Sequence, residues 1–150
     1  MSDPIPESPF LTEVRSAFDG PLQRGVLTLR SSAYDEEAFG NAEVVLAGQN
    51  FQVRLVRDRG DVFADVRSSV SPEWRPLERV LRAVGVAGVP PEGLLSVEQA
   101  AKLIERHFSA LESGFAPGSS AETQRMLRML DADAVKKAEE RWDTGCKNED

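Results

Sequence analysis

The chain is poor in the side chains that most small enzymes and secreted domains rely on. Among 150 residues there are one cysteine, one histidine, one tyrosine and two tryptophans. A lone cysteine, Cys146 in the tail DTGCKNED, allows no internal disulfide and suits a reducing compartment. A lone histidine, His107, cannot supply the HxH or HExxH spacing of a transition-metal site, and no CxxC completes one. Base is scarce as well. Eighteen Lys and Arg stand against 25 Asp and Glu, a net charge of −7, so the chain lacks the basic footprint that duplex nucleic acid requires. No apolar run approaches the ~20 residues that span a bilayer. The opening MSDPIPESPF has neither a basic n-region nor an apolar h-region and does not read as a signal peptide. The expectation is a soluble, cytoplasmic protein with no membrane partner.

What is present suffices for one globular domain. Hydrophobic residues make up 41% and charged residues 29%, a balance that lets a chain of this length bury a core. Residues 1–8, rich in Pro, Ser and acid, are expected to fray, and residues 146–150 likewise. Between them a single domain, 9–145, is expected. Ser8-Pro9 can open a helix, with Ser at the N-cap and Pro at the first position. Phe10, Leu11, Val14, Ala17 and Phe18 then recur with helical spacing until Asp19-Gly20-Pro21,.

From Gly25 the period changes to two. Leu27, Leu29 and Ala33 alternate with polar residues. Three further β-like runs follow, AEVVLA (42–47), FQVRLVR (51–57) and DVFADVR (61–67), separated by turn residues,. Register follows from parity, because side chains alternate faces along a strand. An even loop sets Leu55 against Ala64, Val53 against Val66 and Arg54 against Asp65. Apolar pairs then fall on one face and an opposite-charge pair on the other. The first hairpin pairs Leu46 with Val53 and Val44 with Leu55. The core face therefore reads Val44, Leu46, Phe51, Val53, Leu55, Val62, Ala64 and Val66. The opposite face is mixed, and on it Val56 should lie against Phe63, as an exposed apolar spot or one covered by a chain end.

The second half is helical. Leu77, Val80, Leu81 and Val84 fall at i, i+3, i+4 and i+7 after Pro76. Ser96 and Gln99 form a capping box. Val97 to Leu111 carries one apolar stripe, and Met126 to Trp142 another; since Asp131 is itself a fair N-cap, residues 119–143 read as one helix or two. The fold class is α+β: an antiparallel meander of about four strands, with an N-terminal helix and three or four C-terminal helices packed on one face.

Chemistry is harder to find. Asp35-Glu36-Glu37 matches no metal template, since Ca²⁺ loops place acids at alternating positions. His107 has neither a nucleophile elbow nor a cysteine partner beside it. Gly85-Val86-Ala87-Gly88 lacks the phosphate-loop spacing, and Arg59-Gly60-Asp61 reads as a tight turn. Trp74 reads as the anchor of a helix start and Trp142 as the residue docking the last helix, with an interface role open to either because Trp is enriched in binding hot spots. No catalytic residue, metal ligand or cofactor site is assigned. What remains is surface: the acids Asp35, Glu36 and Glu37 flanked by Tyr34 and Phe39, a charged lip with an apolar anchor. The Val56/Phe63 side of the sheet is the second candidate contact.

The string YDEEAFGNAEVVLAGQNFQVRLVRDRGDVFADV (34–66), followed by the Trp-led EWRPLERVLRAVG (73–85), resembles a group of small bacterial proteins found in toxin neighbourhoods and called immunity-type. The matching features are Tyr-Asp, the Phe-Gly-Asn turn and Val-Arg-Asp-Arg-Gly leading into an apolar strand. The likeness covers about a third of the chain and includes no catalytic signature. It implies a cytoplasmic inhibitor that neutralises a cognate toxin by occlusion; separately, the net charge of −7 would attract a basic protein partner, and monomer and homodimer both stay open. Two alternatives stand beside it. A chaperone for a secreted effector would show a long self-complementary helix or an extended apolar groove. A small enzyme would show a deep cleft around His107 or around two close acids with perturbed pKa values.

Overall fold

The computed structural model describes residues 8–35, 37 and 41–147, with side chains as far as Trp142. Ser8 and Pro9 open helix α1 (Pro9–Ala17) as their chemistry dictates: the buried Ser8 hydroxyl accepts the Leu11 N–H at 3.1 Å. Phe10, Leu11 and Val14 form its buried stripe. The chain turns at Phe18 and forms a second short helix, α2 (Asp19–Gln23), across the residues expected to end the first.

Four strands follow: β1 (Thr28–Asp35), β2 (Asn41–Ala47), β3 (Phe51–Asp58) and β4 (Asp61–Ser68). A fifth, β5 (Arg75–Pro76), adds two residues, so the sheet has five strands rather than about four. All neighbours are antiparallel and the order is β1-β2-β3-β4-β5, a simple meander. The register matches the parity argument pair by pair: Val44 with Leu55, Leu46 with Val53, Val53 with Val66, Arg54 with Asp65, and Val56 with Phe63. The β3–β4 connection has two residues, Arg59 and Gly60, with φ of 53° and 87°. Both are left-handed, as the two-residue turn that matches strand twist demands.

Register in β1 departs from simple alternation. Leu29 faces Leu46 and Ser31 faces Val45, so Arg30 is an extra residue, a β-bulge,. After the bulge the faces exchange. Ser32 and Tyr34 fall on the side of Leu29, and Ala33, which uninterrupted alternation groups with Leu27 and Leu29, falls on the other.

The helices α3 (Leu77–Ala83), α4 (Val97–Arg106), α5 (Phe108–Gly114) and α6 (Ser120–Lys147) complete the domain. The capping box at Ser96 and Gln99 is present in both directions. The apolar stripe from Val97 is divided at His107, whose backbone lies outside helical geometry. Its N–H still bonds the Leu103 carbonyl and its own carbonyl accepts from Leu111, both at 3.1 Å, so the bend costs few hydrogen bonds. Helices α1, α3 and α4 bury their apolar stripes against the face carrying Val44, Leu46, Val53, Leu55 and Val66. That burial excludes water from one face of the sheet and is the main stabilising term.

Helix α6 is continuous across Asp131. The reason is tertiary. Asp131 accepts from Arg75 Nε at 2.8 Å and from Arg79 Nη1 at 2.9 Å, so its carboxylate is held by two guanidiniums and does not turn back to cap a helix start. Arg75 also bonds Glu73 at 2.7 Å and Gln124 at 3.4 Å. Arg79 holds Glu92 with two bonds, 2.7 and 2.9 Å, and these, before Asp131, push its pKa up. This network ties α3, the loop before α4, and the strand β5 to α6.

Candidate functional site

With helices on one side only, the other side of the sheet carries no helix; Val45 and Gln52 on it are buried, Arg54 and Val56 are half-buried, and Glu43 and Phe63 are exposed. Three cross-strand rows define it. The first runs Ser31, Val45, Arg54, Asp65, Pro76. The second runs Ala33, Glu43, Val56, Phe63, and the third Ala47, Gln52, Arg67. Each residue is here because its parity in the strand is opposite to that of a core residue beside it.

The polar groups of this face are organised. Arg54 donates from Nη2 and Nε to Asp65 Oδ2, at 2.8 and 3.3 Å. Arg67 Nε donates to Gln52 Oε1 at 2.8 Å. Both guanidiniums lie over one indole: Arg67 Cζ is 4.2 Å and Arg54 Cζ 4.8 Å from the centre of the Trp74 ring. Trp74 is half-buried. It therefore packs on the open face, not only at the start of α3 as its position suggested. A cation over an indole face is attracted by the ring quadrupole, by about 0.5–1 kcal/mol at exposed sites. The stack also holds two flexible side chains in place before any partner arrives, which lowers the entropic cost of binding.

Beside the stack lies the apolar spot. Phe63 is 41% exposed and Val56 half-buried, and no chain end among the described residues covers them. The exposed Glu43 stands across from Val56. Asp58 and Asp61 close the same end, where Asn41 Oδ1 accepts the Arg59 N–H at 2.9 Å and ties the β2 start to the β3–β4 turn.

The residues singled out from the sequence are not all brought together. Val56 and Phe63 share the open face. Tyr34 is 46% exposed but pairs with Ala42, so it projects from the helix-bearing side of the edge strand. Asp35 lies at the end of β1 and accepts the Glu37 N–H at 3.1 Å, a local turn bond. Glu37 is exposed beside it. Glu36 and Phe39 lie outside the described residues. A shallow hollow at this end is lined by Tyr34, Asp35, Glu43, Val56, Arg57 and Asp58, among others. The lip and the apolar spot are thus neighbours around one end of the sheet, on two sides of its edge. The residues missed were Arg54, Arg67 and Trp74. Parity places Arg54 on this face opposite Asp65, and the same alternation along β4 carries Arg67 there; the indole between strand and helix was the part only the chain path could supply.

Other candidates are placed elsewhere. His107 sits at the α4–α5 junction. Among the described residues no group of three or more His, Cys, Asp or Glu is arranged to hold a metal ion. Glu78 is a buried carboxylate whose pKa is raised, chiefly by burial, and it accepts the Gly93 N–H at 2.9 Å, fastening the loop before α4. No described helix is long and apolar enough to cross a membrane. Comparison with protein-family models, with curated proteins and with solved structures finds no match.

Proposed function

We propose that the chain is a non-catalytic, cytoplasmic protein-binding module of immunity type, which neutralises a cognate bacterial toxin by covering its working surface. The observation that carries this reading is the helix-free sheet face, where Trp74, Arg54 and Arg67 are stacked beside the half-buried Val56 and the exposed Phe63. Trp and Arg are the side chains enriched in binding hot spots, and such residues act best on a rigid support. The net charge of −7 and the acids at one end of the face favour a basic partner and a fast, salt-dependent encounter.

The test is purification of the tagged protein from its own cells at low salt, with co-eluting proteins identified by mass spectrometry. A stoichiometric toxin-like protein is expected, and its affinity should fall at least ten-fold with Phe63→Ala or Arg67→Ala at unchanged melting temperature. Binding indifferent to both substitutions refutes the face as the contact. A second reading, chaperone of a secreted effector, draws on α6. Past Ala134 this helix shows an apolar stripe, Val135, Ala138 and Trp142, with Trp142 73% exposed. A secretion substrate in the same purification favours that reading.

A further inference from the structure

Among the described residues the outer edge of β1 has no strand beside it. β1 is the first strand of a five-strand order and pairs with β2 alone. In an antiparallel ladder, every second residue turns its N–H and C=O away from the neighbour. On an edge strand these groups face solvent and can accept another extended chain. The usual protections are a bulge, a lysine, a proline or a covering element. β1 has the bulge, at Arg30, but beyond it Ser31–Asp35 run in unbroken register with Val45–Asn41. In that stretch Ser31, Ser32 and Ala33 are small and none is Lys or Pro. Their side chains present little obstacle to a backbone lying alongside. The opposite edge differs: β5 is two residues long, and Arg75 in it is held to α6.

We propose that the Ser31–Asp35 edge receives an extended, basic strand of the partner protein, which adds to the sheet next to β1. The proposal rests on the reading of the chain as a binding module and supplies its mode of contact. Backbone pairing gives such a complex its affinity and register, and alternate side chains give it specificity. Charge selects the occupant. Among the described residues Asp35, Glu37 and Glu43 stand at this end of the sheet with Arg30 and with Arg57, which is itself paired with Glu13 at 3.0 Å, so an incoming strand with Lys or Arg at alternate positions is attracted. A second copy of this chain would bring the same acids and is disfavoured. An added strand would also continue the row Ala33, Glu43, Val56, Phe63, so edge and open face form one contact.

The probe is a synthetic eight-residue peptide of alternating Lys and Val, compared with the same peptide carrying a central proline. Amide exchange and chemical shifts of the full chain are followed by NMR. At 90% saturation, exchange at alternate amides within Ser31–Asp35 should slow about ten-fold, since only the free fraction opens to water. The proline peptide should leave them unprotected. Ser32→Pro and Ala33→Pro are paired variants. One removes an outward N–H and should keep the fold while abolishing the protection. The other removes a β1–β2 ladder bond and should lower the melting temperature. Shifts at the acids without amide protection in β1 overturn the proposal, as does equal binding of the proline peptide. Protection that exists without peptide and grows with protein concentration assigns the edge to a second copy and overturns it too. The measurement reads β1 alone, so its failure leaves the open-face reading to be judged by Phe63→Ala and Arg67→Ala.

Discussion

Asp131 offers the sharpest test of how the last helix is held. Its carboxylate accepts one bond from Arg75 and one from Arg79, at 2.8 and 2.9 Å. The arginine side chains are only 8% and 17% exposed, whereas Asp131 is 32% exposed. Removing one partner of a fully buried pair costs about 3–5 kcal/mol, because a charge is left unpaired. Here Arg75 keeps Glu73, and Arg79 keeps two bonds to Glu92, so neither is stranded. Hydrogen bonds to charged groups contribute about 1.5–3 kcal/mol each, and partial exposure reduces that. Asp131→Ala is therefore expected to cost about 2 kcal/mol, a fall in Tm of about 4–8 °C for a domain of this size. Asp131→Asn, which keeps one acceptor oxygen, should lose roughly half as much. Urea unfolding measures both, and a double-mutant cycle with Arg79→Ala isolates the pair, with an expected coupling of about 1 kcal/mol. An Asp131→Ala variant within about 0.5 kcal/mol of the parent, the range of an ordinary surface change, would refute the reasoning. The packing of Leu127 and Leu130 would then suffice to hold α6.

Three further outcomes follow from single contacts. A Cβ on Gly114 would run into the Val84 side chain at the end of α3, so Gly114→Ala should cost about 2 kcal/mol by overpacking, and Val84→Ala should relieve part of that loss in the double variant. Burial raises the pKa of Glu78, against the pull of the Gly93 N–H. A raised folded pKa means that this group's contribution is complete below the unfolded value and is lost as pH rises through the folded one. Glu78→Gln should thus flatten the fall in stability on going from acid to neutral pH, as read from melting temperatures across that range. Changing Asp35, Glu36 and Glu37 together to Ala should slow association with a basic partner and weaken its salt dependence while leaving Tm nearly unchanged; unchanged kinetics on a biosensor surface would remove the lip from the contact.

The meander was legible because its strands obey one local rule. Each apolar residue from Val44 to Val66 takes its face from parity, and opposite charges at Arg54 and Asp65 fix the register against a one-residue slip,. The helix starts at Ser8 and Ser96 were equally local, since a cap is made within three residues of sequence,. The places where the sequence misled are those where distant groups compete with a local preference. Arg30 bulges out of β1 and sends Tyr34 to the helix-bearing side, away from Val56 and Phe63. Asp131, a fair helix cap in isolation, is occupied by two arginines from β5 and α3. Trp74 reads as a helix anchor until the chain path lays its indole under Arg54 and Arg67. Patterning by itself determined which face of the sheet is dry, because burial follows an alternation written in consecutive residues. Only the tertiary structure decided which residues share the open face and which edge stays unpaired, because those depend on bulges, long-range ion pairs and the route of connecting chain.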